Sequence, residues 1–204
     1  MKLFLVSQGL QPAYEEAYFS LLPKRNSPPK IAWIADAAEP YIAKGSTPWL
    51  DSSEKQLRGY GLELIPVRLL DFIGKTGELK KLLEKLDGVW IAGGNTHYLR
   101  WAMAKSGFDK IIKKLLTNGL VYAGESAGAM VVAPNIELSE DNPEDLADVP
   151  EIIEEGLGLY NKLILPHWGV PEYKDNLLNI DRHHRARGRA TTFLTNSGAI
   201  IIND

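Results

Sequence analysis

The stretch that decides the fold is residues 120–132, which read LVYAGESAGAMVV. Residues 120–123 form a short apolar run typical of a buried strand, and the small apolar residues at the other end are typical of a helix start. Between the two lies the pattern Gly-x-Ser-x-Gly, with Ser126 at its centre. A strand, a tight turn that carries a serine and a helix together predict a nucleophile elbow at the edge of an α/β sheet.

The turn around Ser126 needs small neighbours because such a turn is tight and strained. Gly124, Gly128 and Ala127 meet this need. A helix that begins after the serine points free backbone N–H groups and the positive end of its dipole at the same place. We therefore predict that Ser126 is a nucleophile and that the Ala127 N–H is one oxyanion donor. The alternative is that these small residues only allow close packing of the helix on the strand.

A second glycine turn occurs in residues 89–96, which read VWIAGGNT. Glycines allow backbone N–H groups to face a ligand at close range, so Gly93 or Gly94 is predicted to be the other oxyanion donor. The alternative is a plain strand-to-helix turn that is capped by Asn95 or Thr96. The pattern of a phosphate-binding loop, Gly-x-x-x-x-Gly-Lys, is absent here.

Short apolar runs alternate with amphipathic segments along the whole chain. The alternation predicts an α/β fold: one domain, 1–204, with a mostly parallel sheet and helices on both faces. Ligands of such sheets bind beyond the carboxyl ends of the strands. The predicted strands are residues 3–6, 31–35, 62–67, 88–92, 120–123, 163–165, 191–195 and 199–202. The predicted helices are residues 12–22, 49–59, 78–86, 96–105 and 108–116.

Composition excludes several classes of protein. The chain has 204 residues, a net charge of −3 and no cysteine, so thiolate nucleophiles, thiolate metal sites and disulfides are ruled out. No apolar run reaches the roughly 18–20 residues of a membrane span. We expect a cytoplasmic protein that binds neither membranes nor nucleic acid, because a nucleic-acid interface needs a basic excess. Residues 137–155 contain nine acidic residues and no basic one, and we interpret them as a solvated surface segment.

A serine needs an adjacent base to lose its proton near neutral pH. Of the four histidines, His167 follows a predicted strand, which is where a base belongs in this type of sheet. His97 follows the second glycine turn and could also reach the cleft, although an exposed position in the first turn of a helix is the favoured interpretation. His183 and His184 are adjacent and face different directions, and no His-Glu-x-x-His pattern occurs, so no metal and no cofactor are predicted. The basic residues 182–189 are interpreted as a solvated helix end or the wall of an electropositive pocket.

The segments 89–96, 107–108 and 122–129 resemble dipeptidase E, the aspartyl dipeptidase group of serine peptidases, which also includes cyanophycinase-like enzymes. The resemblance implies the class I glutamine amidotransferase-like fold, with serine in place of the usual cysteine. It implies that Ser126 is the nucleophile and His167 the base, and that Asp141 is the acid of the charge relay. A second family position for that third member falls on Asn196. Arg182 matches the arginine thought to hold the aspartate side chain of the substrate.

These observations leave three hypotheses. The first is a serine dipeptidase that acts on small acidic peptides, with an N-terminal aspartate preferred as the resemblance implies. The second is a hydrolase of the same fold that cleaves isoaspartyl or β-aspartyl bonds. The third is a catalytically weak protein that uses its pocket for ligand binding, because an asparagine at 196 stabilises a histidine cation less well than a carboxylate does. No oligomeric state is predicted.

Overall fold

A six-stranded sheet forms the centre of the molecule, seen here in a computed structural model that describes residues 1–45, 47–137 and 146–204. Its strand order is β3-β2-β4-β5-β1-β8. Four of its five strand pairings are parallel, and only β8 runs antiparallel, beside β1. The strands of this sheet are β1 (Lys2–Val6), β2 (Lys30–Ile34), β3 (Glu63–Pro66), β4 (Gly88–Ile91), β5 (Val121–Glu125) and β8 (Ala199–Asn203).

Two further strands, β6 (Leu163–Trp168) and β7 (Thr191–Thr195), pair in parallel with each other and form a separate two-stranded sheet. Their register shifts between Leu165 and Trp168, which marks a bulge in β6. Sequence analysis predicted both strands but did not predict that they leave the main sheet. The reason is that strand partners are chosen by contacts between distant segments, which the local pattern does not contain.

Helices cover both faces of the central sheet. One face packs against apolar side chains of α4, α5, α6 and α7, and the other against those of α1 and α3. The α-helices are α1 (Glu15–Leu21), α2 (Glu39–Ile42), α3 (Pro48–Gly59), α4 (Thr76–Leu83), α5 (Thr96–Ser106), α6 (Phe108–Thr117), α7 (Ala127–Met130) and α8 (Pro171–Ala186). Short 3-10 helices occur at Pro12–Tyr14, Asp36–Ala38 and Leu69–Phe72. The predicted α/β class with a mostly parallel sheet is thus confirmed.

Burial on both faces explains why the central strands read as continuous apolar runs. In β4 and β5 every residue is buried, so alternation between apolar and polar residues is lost. Helix α8 was missing from the sequence prediction because it buries only Leu177, Ile180 and His184 of its sixteen residues. Among the described residues, no helix is both long enough and apolar enough to span a membrane.

The parallel pairing brings three chain segments together at one edge of the sheet. Val6 at the end of β1 pairs with Glu125 at the end of β5, and Ile91 at the end of β4 pairs with Gly124. The residues that follow these strand ends therefore share the same edge. A cavity of about 450 Å3 opens there, and its lining includes Ser7, Gly93 and Ser126. This is where the parallel arrangement predicts ligand binding.

Candidate active site

The backbone of Ser126 adopts the strained conformation of a nucleophile elbow. Its φ is +49° and its ψ is −107°, a region that non-glycine residues rarely occupy. The two flanking glycines are required by close approach. A Cβ on Gly128 would collide with the carbonyl oxygen of Ile91, and a Cβ on Gly124 would collide with the carbonyl oxygen of Gly128. The turn therefore forms only with these small residues, and it raises the serine side chain above the sheet edge.

Backbone amides surround the serine on two sides. Ala127 is the first residue of α7, so its N–H has no acceptor within that helix. Gly93 lies directly against the serine, since a Cβ built on it would stand 3.2 Å from the Cβ of Ser126. Gly94 has a φ of +138° and passes close to the carbonyl of Ala37, where a side chain would not fit. The three predicted oxyanion donors thus lie at the site, and their role stays a prediction.

The second glycine turn also leads into a capped helix, as the alternative interpretation expected. The side chain of Asn95 accepts a hydrogen bond from the backbone N–H of Tyr98 at 2.8 Å and so caps α5. Capping and an oxyanion role are compatible because they use different residues of the turn.

His167 sits at the bulge of β6, in a left-handed conformation with φ +62°. Its backbone N–H donates to Ser7 Oγ at 3.2 Å, and the Ser7 hydroxyl donates to the Leu194 carbonyl at 2.8 Å. Ser7 is 1% exposed. One buried hydroxyl therefore joins the end of β1 to both β6 and β7, and it holds the histidine backbone in a conformation that is unfavourable for this residue type.

The imidazole of His167 connects the serine to Asn196. Its Nε2 lies 2.9 Å from Ser126 Oγ, and its Nδ1 lies 2.8 Å from Asn196 Oδ1. Tyr173 of α8 stacks on the ring, with 5.1 Å between the ring centroids and 29° between the planes. Because an amide oxygen accepts but does not donate, Asn196 selects the tautomer that carries its proton on Nδ1. That tautomer leaves Nε2 free to accept the serine proton.

A buried carboxyl group lies one residue before the serine. Glu125 is 8% exposed, and it accepts hydrogen bonds from Ser53 Oγ at 2.6 Å and from Trp90 Nε1 at 3.4 Å. Burial raises the pKa of Glu125, while these donors, the Gly9 N–H and the charge of His167 act in the opposite direction. The carboxyl group thus joins α3, β4 and the loop after β1, and Glu125 is itself part of the cavity lining.

His97 lies in the cavity wall and is buried at 2% exposure, which agrees with the alternative that it reaches the cleft and not with the favoured exposed position. Burial lowers its pKa, and the Ile136 carbonyl opposes this shift more weakly. His97 is therefore neutral near pH 7. Within the described residues, no group of three or more His, Asp or Glu side chains is arranged to hold a metal ion.

The sequence left the partner of His167 open between Asp141 and Asn196. The structure brings Asn196 into contact with the histidine. Asp141 lies outside the described residues, which end at 137 and resume at 146. The assignment of Asp141 to the charge relay therefore stays an expectation from the resemblance.

Arg182 is not where the resemblance expected it. It is exposed, its guanidinium donates to Asn179 Oδ1 at 2.7 Å, and it does not line the cavity. The physical reason is helical periodicity. The cavity-facing residues of α8 include Leu177 and Ile180, and a residue two positions beyond Ile180 points roughly 200° away. Arg182 thus lies on the outer side of the helix.

Three residues of the basic segment 182–189 contact the carboxylate of Glu137. His183 Nε2 lies 2.9 Å from its carboxylate, Arg187 lies at 3.5 Å, and Arg189 forms a close ion pair with it. These hydrogen bonds from Arg189 and His183 lower the pKa of Glu137, against a weaker effect of burial. The segment is therefore partly neutralised by the first residue of the acidic stretch, and it forms no wall of the cavity.

Sequence reasoning missed Ser7, Tyr173 and Glu125 as parts of the site. Ser7 follows the first strand, so the rule that ligands bind beyond strand ends could have pointed to it. Tyr173 offered no such signal because α8 was not predicted. Glu125 lies inside the Gly-x-Ser-x-Gly pattern, where a charged residue at the end of a buried strand is a signal that the side chain has hydrogen-bonding partners.

Comparison with known proteins identifies the family of the chain. The sequence profile of Peptidase family S51 matches residues 3–204. The uncharacterized peptidase Lmo0363 of Listeria monocytogenes is 31% identical over 128 residues, which cover 62% of this chain and 61% of that protein. Peptidase E of Nostoc is 27% identical over 173 residues, which cover 82% of this chain and 65% of that protein. The matched region thus spans less than two thirds of these curated relatives.

Among solved structures, a candidate peptidase E from Listeria monocytogenes EGD-e superposes with a TM-score of 0.77 at 24% identity, covering 98% of this chain and 93% of that one. A peptidase from an acI-B1 Actinobacterium gives 0.60 at 23% identity, with 87% and 74% covered. At this identity the structural likeness establishes the fold alone. The family follows from the sequence profile, which spans nearly the whole chain, and the chain belongs to peptidase family S51.

Proposed function

We propose that this chain is a serine peptidase that hydrolyses small peptides, with Ser126 as nucleophile and His167 as base. The observation that carries the proposal is the continuous hydrogen-bonded path from Ser126 Oγ through the imidazole to Asn196, with distances of 2.9 and 2.8 Å. Such an arrangement is what nucleophilic catalysis by serine requires. Membership of a peptidase family supports a peptide bond as the bond that is cleaved.

The reaction proceeds in two stages. His167 Nε2 accepts the hydroxyl proton while Ser126 Oγ attacks the carbonyl carbon, and the oxyanion is held by the N–H groups of Ala127 and of Gly93 or Gly94. The histidine then gives the proton to the leaving amine, which departs and leaves an acyl-serine. Water then attacks the acyl carbon and loses a proton to the same nitrogen. The ester bond to Ser126 Oγ breaks, His167 returns the proton to that oxygen, and the acid is released.

Asn196 distinguishes this site from a relay with a carboxylate. Its amide oxygen fixes the ring and the tautomer of His167. It carries no negative charge to stabilise the imidazolium formed during attack, so a slower enzyme is expected than one with Asp or Glu at this position. The absence of a negative charge at residue 196 also favours the alternative function, a weakly catalytic protein that binds ligands in the same cavity.

Small peptides suit the dimensions of the site. A volume of about 450 Å3 lies at the lower end of the roughly 300–1,000 Å3 found for small-molecule sites. The resemblance further implies dipeptides with an N-terminal aspartate, or isoaspartyl bonds in the cyanophycinase-like alternative. Both substrates place a free carboxylate near Ser126, and Arg182, the residue expected to bind it, lies outside the cavity lining.

The proposal is tested by turnover of a dipeptide panel with wild type, Ser126→Ala and Ser52→Ala. Ser52 is an exposed serine of α3 and serves as the matched control. Loss of the nucleophile is expected to lower kcat by about 10⁶-fold, while the control keeps the wild-type rate. Hydrolysis by Ser126→Ala at the wild-type rate would refute the serine mechanism. Labelling of Ser126 by a fluorophosphonate without turnover of any peptide would favour the ligand-binding candidate.

A further inference from the structure

The cavity in front of Ser126 is lined by side chains without positive charge. Within the described residues, neither Lys nor Arg contributes to its lining, and its single acidic residue is Glu125. The undescribed positions 46 and 138–145 contain neither Lys nor Arg. His97, a further titratable side chain in the wall, is kept neutral near pH 7 by the burial that lowers its pKa.

Helix α8 shows how the cations are kept away. It presents Tyr173, Asn176, Leu177 and Ile180 to the cavity, a spacing of three, four and seven residues that places them on one face. Its basic residues lie on the other faces or at its end, where Arg185 pairs with Asp181 at 2.7 Å. Helix α8 thus has three Lys or Arg residues balanced by three acidic ones, and it offers the cavity a neutral and partly apolar surface.

Aromatic rings stand at the mouth of the cavity with much of their surface in water. Trp49 is 39% exposed and Tyr173 is 47% exposed, and both line the cavity. Tyr41 packs edge-on against Trp49, with ring centroids 6.0 Å apart. Exposed aromatic surface around a concave site is typical of apolar ligand contacts.

A substrate carboxylate would meet unfavourable surroundings here. Removing a carboxylate from water without a cation or several donors is costly. A second negative charge near Glu125 adds repulsion whenever that residue is ionised. An uncharged side chain avoids both penalties, and an apolar one also covers the exposed rings.

We propose that the cavity selects peptides whose residue at the scissile carbonyl carries an uncharged, mainly apolar or aromatic side chain, and that it rejects aspartate there. This inference rests on the proposed peptidase function and names its substrate class. It departs from the preference for N-terminal aspartate that the resemblance implied.

The test compares kcat/KM for four dipeptides, Phe-Ala, Leu-Ala, Asn-Ala and Asp-Ala. Asn-Ala and Asp-Ala are nearly equal in shape and differ in charge, so their ratio isolates the electrostatic contribution. We expect Phe-Ala and Leu-Ala to be the best substrates and Asp-Ala to be at least about tenfold worse than Asn-Ala, a difference of about 1.4 kcal/mol. Equal or faster cleavage of Asp-Ala would overturn the inference and leave the peptidase function intact.

Two gain-of-charge variants sharpen the test. Asn176→Arg places a cation in the wall on α8, and Gln8→Lys does so in the segment after β1, at an exposed position that tolerates change. Each should raise the Asp-Ala to Asn-Ala ratio by about tenfold or more, and Arg182→Ala should leave it unchanged. A fall of the ratio in Arg182→Ala, or no rise in either gain-of-charge variant, would contradict the inference.

A competition experiment measures the same substrate preference without requiring that the peptides be hydrolysed. The four dipeptides are added during labelling of Ser126 by a fluorophosphonate, and the protection that each gives is measured. The same order of preference is expected. If Ser126 is labelled and Asp-Ala protects as well as Leu-Ala, the inferred substrate preference is refuted and the proposed peptidase function still stands. If Ser126 is neither labelled nor needed for hydrolysis, the proposed function fails and the inference fails with it.

Discussion

Replacement of Ser7 by alanine tests whether the position of His167 depends on one buried hydroxyl. The change removes the acceptor of the His167 N–H and the donor to the Leu194 carbonyl, which are 3.2 and 2.8 Å from Ser7 Oγ. An unsatisfied buried polar group costs about 1–3 kcal/mol, so two such groups predict a loss of about 2–6 kcal/mol in the free energy of unfolding.

The same change should affect catalysis more than binding. Without the hydroxyl, the His167 carbonyl still accepts from the Val170 N–H at 3.1 Å, but the His167 N–H at φ +62° loses its acceptor. A displacement of about 1 Å at a catalytic group lowers the rate roughly 10²-fold. We expect kcat to fall by about that factor with little change in KM, and Ser7→Thr, which keeps the hydroxyl, to restore most of it.

Steady-state kinetics and urea unfolding of Ser7→Ala provide the measurements. Ser20→Ala is the matched control, because that hydroxyl also bonds a backbone carbonyl, at 2.7 Å from Ala17, but in an exposed position. The control should lose less than about 0.5 kcal/mol and keep its kcat. A kcat of Ser7→Ala within twofold of wild type would refute the reasoning, whatever its stability.

Three further changes test other parts of the structure. Asn196→Asp should raise kcat because a carboxylate stabilises the His167 cation, and Asn196→Ala should lower it by roughly 10²-fold or more; equal kcat values in all three proteins would contradict the orienting role. Burial raises the pKa of Asp36 from 3.8 to about 6, so folding favours its protonated form. Relative to Asp36→Asn, the wild type should be most stable below about pH 4, and its free energy of unfolding should fall by about 3 kcal/mol as the pH rises through 6. Urea unfolding of both proteins at several pH values measures this. A difference in unfolding free energy that does not change with pH would contradict the prediction. Gly128→Ala should destabilise the fold by more than about 3 kcal/mol because its Cβ would meet a β4 carbonyl, whereas Gly77→Ala in the open on α4 should be neutral or stabilising in the same thermal unfolding assay.

The elbow was predictable from sequence because all of its determinants are local. The strand, the small residues and the helix start occupy one stretch of thirteen residues, and steric limits on Gly124 and Gly128 leave few other conformations. The central strands were predictable for a similar reason, since burial on both faces leaves a continuous apolar run in each.

The histidine's setting was not predictable because its determinants are distant. The bond between Ser7 and His167 joins residues 160 positions apart, and the bulge and positive φ depend on it. Likewise, the pairing of Glu137 with Arg189 spans 52 positions and changes the meaning of the basic segment. The outward position of Arg182 follows from helical spacing relative to Ile180. It could therefore have been predicted only if the whole of α8 had been recognised in the sequence.

The measurement closest to the central claim is the rate of covalent labelling at residue 126 in wild type and in His167→Gln, with the modified residue identified by mass spectrometry. If His167 takes the proton from Ser126, the wild type should carry its adduct on Ser126 alone, and the variant should react at least about 10³-fold more slowly. Equal rates in the two proteins, or an adduct on any other residue, would contradict the account.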